Sequence, residues 1–232
     1  MLSQSITPAS VYNKLLGVEQ ANKNLKECKD YESIFENIGR LLFNNNLHQI
    51  IGISLLHRHN FLENNELMLQ RTRGGSEGDI SLVTTKESVV SINETLYPLT
   101  WRCMMSGEVE PLEYTTLSEV ELSRDFFAIN KHVFSDIATI LSQFNNALPI
   151  GLTFLNKFIL DASSKGFIAT ENIDLDHEAQ IVSLSRVGEE GAAIITNWNY
   201  HGTEIQRCIP YKQCVDRAPG HDVTNGHEFI DE

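Results

Sequence analysis

Two histidines, one residue apart, close an apolar run in "GISLLHRHN", Gly52 to Asn60. Side chains two positions apart on an extended chain share a face, so His57 and His59 are expected to project together. Paired imidazoles can bind a divalent metal or act as a base and its partner. Glu63 and Glu66 follow closely and could complete a His-His-carboxylate set, with Glu66 the assisting acid. A metal held there would polarise a carbonyl or activate water, which is hydrolase or lyase chemistry. The plainer reading is a pair of hydrogen-bonded rings at a strand end.

A second concentration lies near the end of the chain, in the pattern Cys208-x5-Cys214-x6-His221-x5-His227. Two thiolates and two imidazoles form a tetrahedral zinc set, although zinc-finger cysteines stand closer together. Zinc or another divalent metal is therefore the expected cofactor. A mixed site, with His57 and His59 joined by one or two of these C-terminal residues, is also open. The plainer reading is a polar tail that contains histidine.

Cys103, in "LTWRCMMSGE", raises a thiol alternative. Paired with His57, His59 or His201, it would serve a hydrolase or acyltransferase. Beside Trp101 and Met104 it reads equally as a packed core residue. Asp174, Asp176 and Glu178 alternate like ligands of a hard cation, but also like a solvated acidic loop. "RTRGGSEGD" lacks the Lys-Ser/Thr of a phosphate loop and reads as a hairpin turn.

The pattern Gly52-x4-His57-x-His59-x3-Glu63 superficially resembles the first metal motif of the cupin family, with one residue fewer before the first histidine. The next histidine is His132, on the polar side of a helix, so the family's second motif has no counterpart. The chain is not assigned to that family.

The elements that must position these groups are legible in outline. Thr7-Pro8 opens one helix through Val11, Leu15 and Leu16, and Asp30 caps a second through Ile34, Ile38, Leu41 and Leu42. "HQIIGISLLHRH", "ELMLQRT", "DISLVTT", "YPLTWRCMM" and "VEPLEYTT" read as extended. A long central helix is expected over "LSEVELSRDFFAINKHVFSDIATILSQFNN", with Phe126, Ile129, Val133, Ile137, Ile140 and Phe144 as its apolar stripe. "IGLTFLNKFIL" reads as a strand. "AQIVSLSRV" and "AAIITNWNY" read as a hairpin. "IGISLLHRH" and "IGLTFLNKF" echo one another, which fits either shared strand composition or a duplicated unit.

These elements predict an α+β fold: a mixed, largely antiparallel sheet covered by helices, in a single domain over 1–200. Residues 201–232 are expected to form a loop-rich Cys/His segment. The net charge of -13 argues against a nucleic-acid partner and against an anionic membrane surface. A small-molecule or protein substrate remains. Sparse cysteines and the lack of a secretion signal point to the cytoplasm. A third function class is a non-catalytic acidic interaction protein, with or without a structural metal.

Overall fold

The computed structural model describes residues 6–74, 80–116, 125–144, 148–163, 165–174, 179–186, 193–200 and 208–215. Three helices come first: α1 (Ala9–Tyr12), α2 (Val18–Glu27) and α3 (Tyr31–Asn44). Five strands follow: β1 (Ile51–Leu55), β2 (Glu66–Gly74), β3 (Ile80–Ser88), β4 (Tyr97–Cys103) and β5 (Val109–Thr115). Helices α4 (Phe126–Ile129) and α5 (Lys131–Ser142) lead into β6 (Ile150–Phe154) and α6 (Lys157–Ser163). The last four strands are β7 (Phe167–Asp174), β8 (Ala179–Arg186), β9 (Ala193–Tyr200) and β10 (Cys208–Val215).

The ten strands close into one barrel in the order β1-β6-β4-β5-β2-β3-β8-β7-β10-β9. β2 with β5 and β7 with β10 run parallel, and the remaining pairs are antiparallel. This corrects the expected helix-covered α+β sheet. The reason lies in the polar residues that alternate along the strands. Gln70, Thr84, Thr100, Glu113, Glu171, Gln180 and Asn197 look like the wet face of an open sheet, yet all are buried. Closure leaves the sheet no edge and can turn such a row inward, where side chains fill a small barrel.

The barrel carries an internal two-fold repeat. Strands β1 to β5 recur as β6 to β10 with the same partners. The pairs Trp101↔Pro111 and Thr100↔Glu113 of β4 and β5 correspond to Trp198↔Pro210 and Asn197↔Lys212 of β9 and β10. Register shifts interrupt both ladders at the matching place. β1 and β6 face each other across the pseudo-axis, with Ile51↔Phe154 answered by Leu55↔Ile150. The helices that precede them, α3 and α5, pack together.

The main core forms where these helices cover the barrel wall. Ile34, Ile38 and Leu42 of α3 and Val133, Phe134 and Ile137 of α5 share it with Ile53, Trp101 and Leu152. Burying so many large apolar side chains is the dominant favourable term in folding.

Several elements differ from expectation. The N-terminal part holds three helices rather than two. The described part of the central helix is two pieces that meet at Asn130, and Ile129 is exposed rather than in the apolar stripe. Residues 117–124 and 145–147 lie outside the described set. "IGLTFLNKFIL" is a strand only to Phe154 and then turns into α6. β8 and β9 are not a hairpin: β8 pairs with β3 and β7, and β9 with β1 and β10. Cys208–Val215, expected as loop, is a barrel strand despite Pro210. Proline fits beside a register shift, where its missing N–H costs the ladder least.

Candidate metal centre

His57 and His59 follow the end of β1, where the chain leaves the ladder. Both rings turn into the barrel and pack against each other at a centroid distance of 4.3 Å. Arg58, between them, turns away. Its guanidinium donates to the carbonyls of Asn13 and Leu15 at 2.8 and 2.9 Å, and its N–H to that of Leu16 at 2.7 Å. The His59 N–H donates to the Tyr12 hydroxyl at 3.1 Å. The N-terminal segment thus clamps the His-Arg-His turn.

Glu171 on β7 and Cys214 on β10 complete a group of four. One ligand atom from each of His57, His59, Glu171 and Cys214 lies within 4.8 Å of the others, and all four residues are buried. The parallel register Cys214↔Glu171 sets two of them side by side. The Cys214 thiol donates to Glu171 Oε2 at 2.6 Å, and its sulfur lies 3.5 Å from His57 Nε2. His57 Nδ1 is 2.8 Å from the Leu55 carbonyl. A carbonyl only accepts, so Nδ1 holds the proton and Nε2 offers its lone pair to the group. His59 Nε2 is 3.2 Å from Glu113 Oε1. With that nitrogen on the carboxylate, Nδ1 is the one a metal would take. Imidazole fixed from behind by a carbonyl or carboxylate is the usual second layer of a metal site.

Two further charges flank the group. Lys212 Nζ donates to Glu171 Oε1 at 2.5 Å, and Thr100 donates to Glu113 Oε2 at 2.8 Å. Burial pushes the Glu171 carboxyl up, but Lys212, His59 and His57 outweigh it and hold it well below the usual range. Burial acts likewise on Glu113, and the His59 hydrogen bond and charge with Lys212 bring it down. Burial, then the Glu171 charge, push the Cys214 thiol well up. Glu171 is therefore an ionised acceptor and Cys214 a neutral donor whose proton a metal would replace.

Two imidazoles, a carboxylate and a thiol give zinc a full tetrahedral set, with bonds of about 2.0–2.3 Å and donors roughly 3.3–3.8 Å apart. The observed spacing needs only a small contraction about the ion, with Cys214 moving off Glu171 as its proton leaves. A cavity of about 10 Å³ touches His57, His59, Glu113 and Lys212. That is room for about one water.

The remaining residues singled out in the sequence lie elsewhere. Glu66, the first residue of β2, accepts the Glu63 N–H, and neither acid belongs to the group. Cys103 is buried in the core between barrel and helices, where desolvation pushes its thiol far up. The backbone of Cys208 opens β10. His201, His221, His227, Asp176 and Glu178 lie outside the described residues.

Sequence reasoning missed Glu113, Glu171 and Lys212. The available signal was a charged residue at mid-strand in "LEYTT", "ATENI" and "PYKQCV". No protein-family model matches this chain, no curated protein matches its sequence and no solved structure matches its fold.

Proposed function

We propose that this protein binds a divalent transition metal, zinc foremost, inside its barrel through His57, His59, Glu171 and Cys214. The observation that carries the reading is the convergence of four donors of the right chemistry, backed by Leu55, Glu113 and Lys212. His57 and His59 come from the first repeat, Glu171 and Cys214 from the second. The metal would tie the halves together and add its binding energy to the stability of the barrel. Three free cysteines among the described residues, Cys28, Cys103 and Cys214, suit a reducing compartment such as the cytoplasm.

Structural zinc sites use four protein donors, whereas catalytic ones keep a position for water or substrate. Four donors and space for one water favour the structural role over the hydrolase or lyase role. The test is metal analysis of purified protein, with thermal unfolding before and after chelation. One equivalent of zinc, with a lower Tm once it is removed, supports the reading. No bound metal and a Tm indifferent to added zinc refute it.

A further inference from the structure

The repeat places a second interior position equivalent to the metal group. β6 leads into Asn156 and Phe158 where β1 leads into His57 and His59. Gln70 on β2 answers Glu171 on β7, because Gln70↔Thr115 is the parallel pair that corresponds to Glu171↔Cys214. Every metal-capable residue of the first position thus has a counterpart with weak or no affinity for zinc: Asn, Phe, Gln and Thr. Here the barrel holds a cavity of about 80 Å³. This is room for roughly five waters, or a small organic molecule.

The walls of this cavity are chemically divided. Leu82, Leu155, Ile159 and Val182 belong to one apolar cluster along its wall. Toward the barrel centre stand Asn197 and Lys212, paired across β9 and β10. Among the described lining residues the only ionic groups are Lys157 and Lys212, both cations. Asn197 Oδ1 is buried without a hydrogen-bond partner among the described residues. A buried polar atom left unsatisfied is costly, so it marks a place where a donor is wanted.

We propose that this cavity binds a short-chain hydroxycarboxylate. The carboxylate meets the Lys212 ammonium, which has protons to spare beyond the one given to Glu171. The ligand hydroxyl donates to Asn197 Oδ1, and the alkyl tail lies on Leu82, Leu155, Ile159 and Val182. The cavity is present without a metal at the other position, and a metal there would act on it only through Lys212.

Calorimetric titration of the full chain with 2-hydroxybutyrate, butyrate and 2-hydroxybutyramide tests the assignment. The expected order is 2-hydroxybutyrate tightest, with at least tenfold losses for the analogue lacking the hydroxyl and the one lacking the charge. Val182→Phe, which fills the apolar wall, should abolish binding while leaving circular dichroism and zinc content unchanged. If that variant fails to fold, Ile159→Trp on α6 serves instead. Equal affinity for the three probes, no binding at millimolar ligand, or binding that survives the filled cavity overturns the proposal. Because zinc content is read in the same samples, failure here is distinct from failure of the metal reading.

Discussion

Cys214 Sγ lies 3.5 Å from His57 Nε2, although 157 residues separate them in the chain. One follows the first strand of the barrel and the other sits in the last. The contact needs β9 paired with both β1 and β10, so any ion held there reports on that long-range pairing. Nothing along the chain between them marks the two as neighbours. Their proximity is a product of topology.

Cobalt gives this contact a spectroscopic signature. Cobalt-loaded protein should show tetrahedral visible bands and a near-ultraviolet band from sulfur-to-cobalt charge transfer. Cys214→Ser should lose the sulfur band and weaken the metal by tenfold or more, and Cys103→Ser should leave both unchanged. A sulfur band that survives Cys214→Ser would place the ligand elsewhere.

How much of this was readable beforehand depends on the residue. His57 and His59 were conspicuous because their pairing is local, two positions apart beside a strand. Cys214 was visible as a residue type but not as a strand residue, since Pro210 disguised β10. Glu113, between Leu112 and Tyr114, and Glu171, between Thr170 and Asn172, were invisible as site residues, because a charge at mid-strand looks like the outward face of a sheet. The barrel was missed for the same reason. Alternation fixes which residues share a face, but not whether that face meets solvent or the inside of a closed ring. The echo between "IGISLLHRH" and "IGLTFLNKF" was the one long-range signal, and it falls on the two strands that meet at the pseudo-axis.

The Lys212–Glu171 pair makes stability depend on pH. Glu171 is held below its unfolded value of about 4.3, so its contribution is complete above that pH and is lost as pH falls through the depressed folded value. Burial lowers Lys212, but Glu171 and Glu113 outweigh it and raise it. Its contribution is therefore present below an unfolded value of about 10.4 and is lost as pH rises through the folded one. Chelated protein should be most stable between about pH 5 and 10 on this account. Glu171→Gln leaves a buried ammonium without its counter-charge and should cost about 3 kcal/mol. It should also flatten the acid limb in urea titrations. A variant with an unchanged acid limb would mean that Glu171 is not the group responsible.

Gly52 and Gly151 hold the seam around the pseudo-axis. A Cβ on Gly52 would meet the Trp198 carbonyl at 2.4 Å, and one on Gly151 the Trp101 carbonyl at 2.4 Å. Backbone oxygen cannot rotate away as a side chain can, so a methyl group must push neighbouring strands apart. Gly52→Ala and Gly151→Ala should each destabilise by about 2 kcal/mol or more in equilibrium unfolding, despite the higher strand propensity of alanine. Wild-type stability in either variant would contradict the close approach.

Cys103 supplies a chemical control for the thiol-enzyme alternative. Desolvation in an apolar core raises its pKa and leaves essentially no thiolate at neutral pH. Iodoacetamide at pH 8 should leave Cys103 unmodified in the native state, as read by peptide mass mapping, and label it once the protein is unfolded in urea. Rapid native labelling would restore Cys103 as a candidate nucleophile.

The metal group and the second cavity share Lys212, which lines the cavity and holds Glu171. A zinc ion on Glu171 takes up part of the carboxylate's charge and weakens its hold on the ammonium. Lys212 is then freer to meet an anion from the other side. Zinc-loaded protein should bind 2-hydroxybutyrate several-fold more tightly than chelated protein. By linkage, saturating 2-hydroxybutyrate should tighten zinc by the same factor. Both factors can be measured by calorimetry on one preparation. Equal hydroxycarboxylate affinity with and without zinc would show that Lys212 does not couple the two positions, even if each binds its ligand.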